Sequence, residues 1–228
     1  MAEKTKIPEK SEEDLFIQEI DDDLRQDQFH QLWQDYGQYG VGLAVMLVLG
    51  VAGYKGWQTY DLSNREAASA RFSLAMNIDP AKEPDAAFKA FQGIAADGKA
   101  GYTLLARFQQ AKLLANGGNA KGAAEAYRVL AADNGIDEIY RQLAVILGSL
   151  QELNAPAPDL AGLDKRLQPL AADNSAWRFS AREITGVIAN RTGDKDKARK
   201  LFTALAQDRG APQGVRTRAQ EMLSILGK

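Results

Sequence analysis

Cysteine is absent from this 228-residue chain, and histidine occurs once, as His30. Without cysteine there is no disulfide framework and no thiolate metal site. With a single histidine, no Ser-His-Asp, Cys-His or histidine-rich metal set can be assembled. The glycines form neither a G-x-x-x-x-G-K-[ST] nor a G-x-G-x-x-G loop, so no phosphate cradle is expected. Lysine and arginine nowhere make a dense stripe, which argues against a nucleic-acid partner. Carboxylates are scattered over predicted helix surfaces or bunched at Asp21–Asp23. No catalytic residue, cofactor or metal is therefore expected.

What the chain does have is alanine, leucine and an uneven charge. The net charge is −2, but residues 1–35 hold four Lys/Arg and eleven Asp/Glu. An acidic head thus precedes a mildly basic body. Ala-rich composition with few β-branched runs favours helix. Met1–Asp14 is polar and charged, and is expected to be disordered. Beyond it, Ile17, Ile20 and Leu24 recur at helical spacing, followed by Phe29, Leu32, Trp33 and Tyr36. An amphipathic helix is expected to run from this head (residues 1–35) into the next segment. Asp21–Asp23 would be repelled by anionic lipid, so this helix suits a protein partner better than a lipid surface.

From Tyr36 to Tyr54 the chain reads YGQYGVGLAVMLVLGVAGY, nineteen residues without a charge. As a helix it covers about 28 Å, close to the hydrocarbon thickness of a bilayer. Trp33, Tyr36 and Tyr39 precede it, and Tyr54, Trp57 and Tyr60 follow. Rings with a polar tip favour the two lipid–water interfaces. Residues 36–56 are expected to be one transmembrane helix, with Trp33, Tyr36, Tyr54 and Trp57 as interface anchors. The apolar run starts late, behind a long acidic region and with no A-x-A site after it, so a permanent anchor is expected rather than a cleaved signal. Gly40/Ala44 and Ala52/Gly56 are small-xxx-small pairs that suit close approach of another membrane helix. Near the span, Arg25 is the cation on the N-terminal side, and Lys55, Arg65 and Arg71 lie on the other. On that count the positive-inside rule places the C-terminal body in the cytoplasm.

The rest of the chain repeats. LAADN occurs at Leu130–Asn134 and again at Leu170–Asn174, with near-copies at Ile94–Gly98 and Leu205–Arg209. The aspartates Asp97, Asp133, Asp173 and Asp208 serve as markers. Three positions before each stand Ile94, Leu130, Leu170 and Leu205. Six before stand Phe91, Tyr127, Leu167 and Phe202; ten before stand Ala87, Ala123, Leu163 and Ala198. These offsets share one helical face, so four copies of an amphipathic helix B are predicted, each ending near its marker. Asn119, Asp159 and Asp194 are N-cap candidates, and Pro84 suits a first helical turn. Between copies a helix A is predicted, with small residues at Ala111, Gly148 and Gly186 that let helix B cross closely. The A–B turns ANGGN and ANRTGD offer Gly for a left-handed cap. The middle turn, with Pro156 and Pro158, is about three residues longer. Trp57–Ile78 is expected to act as the first helix A, continuing the membrane helix, and Val215–Leu226 to cap the array. Trp177 and Phe179 are expected to pack in a helix A.

A small residue in helix A, then Gly, then A-x-x-x-[FY]-x-x-[IL] at this period resembles the tetratricopeptide repeat in degenerate form. It implies a right-handed α-solenoid over residues 57–228, working by presenting a surface. Helix A residues flanking the small position are expected to line the concave side: Phe108, Lys112, Val145, Ser149, Glu183 and Asn190.

The order of parts carries a further resemblance. EIDDDLRQDQFHQLWQDYGQYGVG, a single span, GYKGWQTY and an Ala-rich degenerate array together resemble the tetratricopeptide-repeat-like family of bacterial ancillary Sec translocon subunits. The resemblance implies an inner-membrane protein with a cytoplasmic N-terminus and a periplasmic repeat domain. It implies association with the Sec translocon and with a membrane-anchored periplasmic chaperone of the prolyl-isomerase type. This topology opposes the charge count, which rests on two residues, and is the expectation retained. Two alternatives stay open: an envelope-assembly or cell-division coordinating scaffold, and a cytoplasm-facing regulatory binding module.

Overall fold

A computed structural model describes residues 12–97 and 100–227. Every regular element among them is helical: α1 (Glu12–Met76), α2 (Pro84–Ala96), α3 (Ala100–Asn116), α4 (Ala120–Ala132), α5 (Glu138–Leu153), α6 (Leu160–Leu167), α7 (Arg178–Arg191), α8 (Lys195–Gln207) and α9 (Gln213–Ile225), with a 3-10 turn at Pro169–Ala171. The chain divides into two units, Met1–Arg65 and Glu66–Lys228. The disorder expected for Met1–Asp14 falls mostly outside the described residues, and Glu12–Asp14 are helical as the first residues of α1.

In the first unit the backbone is helical without a break from Glu12 onward: no proline occurs between Glu12 and Pro80. Its apolar side chains from Val41 to Val51 are all more than half exposed. Burial within this chain does not account for so apolar a helix.

The second unit is an array of helix pairs. The end of α1 acts as the first helix A: Phe72 packs edge-on to Phe91, with centroids 5.6 Å apart, and Ala75 is buried with Ile94 and Ala106. The pairs α3–α4, α5–α6 and α7–α8 follow, and α9 closes the array. All twelve residues predicted for the inner face of helix B are buried. The alanines among them, Ala87, Ala123 and Ala198, are fully inaccessible, so neighbouring helices meet there with no side chain beyond Cβ between them.

Local chemistry starts and stops these helices where the sequence says it should. Asn119, Asp159 and Asp194 each accept a hydrogen bond from the backbone three residues on, at Gly122, Gly162 and Lys197, over 2.9–3.0 Å. Each satisfies one of the donors a helix start leaves unpaired. Gly118 and Gly193 take φ of +78° and +86° after α3 and α7, the left-handed turn a side chain would strain. Asp97, Asp133 and Asp208 are the C-caps of α2, α4 and α8.

The third helix B departs from its copies. It is not one helix: α6 stops at Leu167 and a 3-10 turn carries Leu170 inward. Pro169 is the physical cause. It has no N–H to donate back into α6 and its ring crowds the preceding turn. Asp173 is consequently no helix cap. Gly148 meets a helix B, but the preceding copy: a Cβ there would lie 3.1 Å from Tyr127 Cβ, so α5 crosses α4. Gly186 does meet its own helix B, with Phe202 Cζ 2.8 Å from where a Cβ would stand.

Candidate functional site

The first candidate is a groove between successive A helices. α5 carries two apolar stripes. Ala144 and Gly148 are buried, Gly148 against α4, while Leu143, Leu147 and Leu150 run along another side at helical spacing. This second stripe forms one wall of a cavity of about 370 Å³. Trp177, Ser180 and Val187 of α7 form the other wall, and Arg218 of α9 closes one end. Its floor is Ile146, Leu153 and Ile184, which belong to the buried core shared by α5, α6 and α7. Leu150 is 38% exposed, so the wall is apolar surface open to a partner.

Polar groups frame this surface. Trp177 Nε1 donates to Ile139 O over 3.1 Å, which orients the indole. Arg218 donates from Nε and Nη2 to the two carboxylate oxygens of Glu183, at 2.5 and 2.8 Å. That hydrogen bonding raises the guanidinium pKa above its ordinary value. A paired carboxylate and guanidinium leave no free base or acid in the groove. A leucine wall, an oriented indole and a bidentate ion pair suit the apolar face of a helix or extended segment.

The sequence-predicted concave residues are placed as follows. Glu183 lines the groove. Phe108 packs on Tyr127, with ring centroids 6.1 Å apart. Lys112 is exposed. Val145 packs against the core between α5, α6 and α7. Ser149 is buried, and its hydroxyl has no hydrogen-bond partner. Asn190 accepts a hydrogen bond from Lys195. Leu143, Leu147, Leu150 and Trp177 were not singled out as surface. Their signal was a second apolar stripe on a helix whose first stripe was already assigned to the core.

A repeating ion pair also escaped the sequence reading. Arg71 reaches Asp97 at 2.5 Å and Arg107 reaches Asp133 at 2.7 Å, each arginine standing 26 positions before its marker. Arg182 stands 26 before Asp208 but turns to Asp173, and also donates from Nε to Ala171 O. The Arg107 bond, aided by Gly135 N–H, holds the Asp133 carboxyl below its usual range; Arg182 does the same for Asp173. At Asp97 and Asp133 the marker is thus a tie between helices as well as a helix end.

In the first unit Trp33, Tyr36, Tyr54 and Trp57 are all exposed along α1. The Trp33 ring lies over Gly37, within 3.2 Å of where a Cβ would stand. Among the described residues one helix, over Tyr36–Met76, is long and apolar enough to cross a membrane, and almost none of its apolar stretch is buried.

Comparison with known proteins agrees with this architecture. Residues 30–225 match the family described as tetratricopeptide repeat-like domain. A protein of Aggregatibacter actinomycetemcomitans described as an ancillary SecYEG translocon subunit is 26% identical over 181 residues, spanning 78% of this chain and 85% of the relative. No solved structure matches the chain.

Proposed function

This chain belongs to the tetratricopeptide repeat-like domain family, and from that premise we propose that it is a membrane-anchored scaffold that binds protein partners beside the Sec translocon. The observation that carries the proposal is the open groove of α5 and α7, an apolar surface framed by the Arg218–Glu183 pair. The exposed apolar stretch of α1 supplies the anchor. The relative's description as a translocon subunit supports the translocon as the site of action. Of the expected concave residues, Phe108, Lys112, Val145, Glu183 and Asn190 stay in the proposed binding region, with the leucine wall of α5 added to them, whereas Ser149 is buried and presents no surface to a partner.

On this reading the span lies in the bacterial inner membrane, the repeat array faces the periplasm, and a membrane-anchored periplasmic chaperone is a second partner. Affinity capture of the full chain in mild detergent tests the association. Co-purification of translocon subunits supports it; capture of envelope-synthesis or division proteins in their place supports the assembly-scaffold alternative. A phosphatase fusion at Lys228 tests the orientation. Activity supports a periplasmic array, and an inactive phosphatase with a fluorescent cytoplasmic fusion overturns it in favour of a cytoplasm-facing binding module.

A further inference from the structure

A second concave surface lies away from the groove, where two successive A–B turns of the array meet. The turn between α1 and α2 contributes Pro80, and α2 contributes its first residue, Pro84, and Phe88. The end of α3 contributes Leu113 and Leu114. Together they line a cleft of about 580 Å³, well inside the size range of ligand clefts. Two prolines hold its rim with φ already set, so little ordering is needed on binding.

The cleft is apolar inside and negative at its mouth. Asp79 and Asp85 both line it. Asp79 accepts from Ala81 N–H over 3.0 Å and has Lys82 Nζ at 3.8 Å. Asp85 has no hydrogen bond or ion pair among the described residues. The C-terminus of α3 ends at the same cleft, and its last turn holds no basic residue to offset the negative end of the helix dipole. Lys82 is the cation in this turn, and its side chain is 81% exposed.

We propose that this turn-edge cleft docks a protein segment in which an aliphatic or aromatic side chain is followed closely by lysine or arginine. The apolar residue enters between Phe88 and Leu113, and the cation meets Asp85 and the end of α3. The site is separate from the α5–α7 groove and lets the array hold a second segment at the same time.

The absence of cysteine makes the test clean. An Ala81→Cys variant of the full chain, in lipid nanodiscs, carries a single environment-sensitive fluorophore at the rim. The probe is a short amidated peptide of leucine, phenylalanine and lysine, with a counterpart in which glutamate replaces lysine. The lysine peptide is expected to give saturable binding at about 0.15 M salt. Asp85→Asn is expected to weaken it about three- to tenfold, and Asp85→Lys more. Asp85 is exposed and without a partner among the described residues, but it lies in the first turn of α2, where Asp85→Lys also loses a favourable charge, so both variants are first checked for unchanged helix content by circular dichroism. Equal binding of the glutamate peptide overturns the proposal. So does unchanged affinity in Asp85→Lys, no saturable signal below about 1 mM, or an equal response from a label at Thr217→Cys on α9.

Discussion

Gly186 is where a single atom matters most. A methyl there would meet Phe202 Cζ at 2.8 Å and two further ring atoms at 3.0 and 3.1 Å. Phe202 is fully buried and has nowhere to swing. Helix propensity gains about 1 kcal/mol on Gly→Ala, while overpacking costs about 1–3 kcal/mol. Gly186→Ala is expected to lose up to about 2 kcal/mol in urea unfolding, the overpacking less the propensity gain, and Phe202→Leu in the same chain to recover part of it. Gly148→Ala, whose new methyl faces a lone Cβ at 3.1 Å, is expected to lose less. Asp133 offers a second test. Its carboxyl is lowered in the folded chain by Arg107, so its contribution is present above the unfolded value near pH 4 and fades as pH falls through the folded one. Asp133→Asn is expected to flatten that part of the acid-side stability curve, measured as urea midpoints from pH 6 down to about pH 2. The small residues were legible because a period near 36 aligned them. Arg71, Arg107 and Arg182 were aligned just as well, but a lone arginine on a helix surface carries no pattern that distinguishes a tie from a solvated charge.

Among the elements, helix starts were the most readable, because capping is chemistry confined to four residues. Replacing Asn119, Asp159 or Asp194 with alanine is expected to cost about 1 kcal/mol each, checked by thermal unfolding of the single variants. The three effects should add, since the caps belong to different helices. The break in the third helix B was less readable. The buried pattern Leu163, Leu167, Leu170 continues across it, so periodicity alone reports an intact helix. Pro169 within LQPLAADN was the contrary signal. The groove was hidden for a related reason. Two neighbouring A helices line it with different flanks, α5 with Leu143, Leu147 and Leu150, and α7 with Ser180 and Val187. On α5, offsets of −3 and +1 from Gly148 reached Val145 and Ser149 rather than the leucines; on α7, −3 from Gly186 reached Glu183, and +4 reached Asn190 rather than Val187. Leu150→Glu is expected to leave the fold intact, because that side chain is 38% exposed, and to reduce partner capture at least severalfold in the detergent pull-down.

For the whole molecule, composition bore most of the weight. The missing cysteine and lone histidine directed attention from catalysis to surface, and the apolar run of α1 marked a candidate anchor. An arginine pair in the middle of that run, Val45→Arg with Leu49→Arg, is expected to shift the chain from the membrane to the soluble fraction, since each central arginine costs roughly 2.5–3.5 kcal/mol on insertion. The array itself transmits stability only between neighbours. α6, at eight residues, is the shortest α-helix among the described residues, and Pro169 turns the segment after it into a 3-10 turn rather than more α-helix. Under a pulling force applied between α1 and α9 the array would therefore part first between α5 and α7, and optical-trap extension would show two rips rather than one. For a scaffold held by a membrane at one end and loaded at the other, a single proline thus sets where the tether yields.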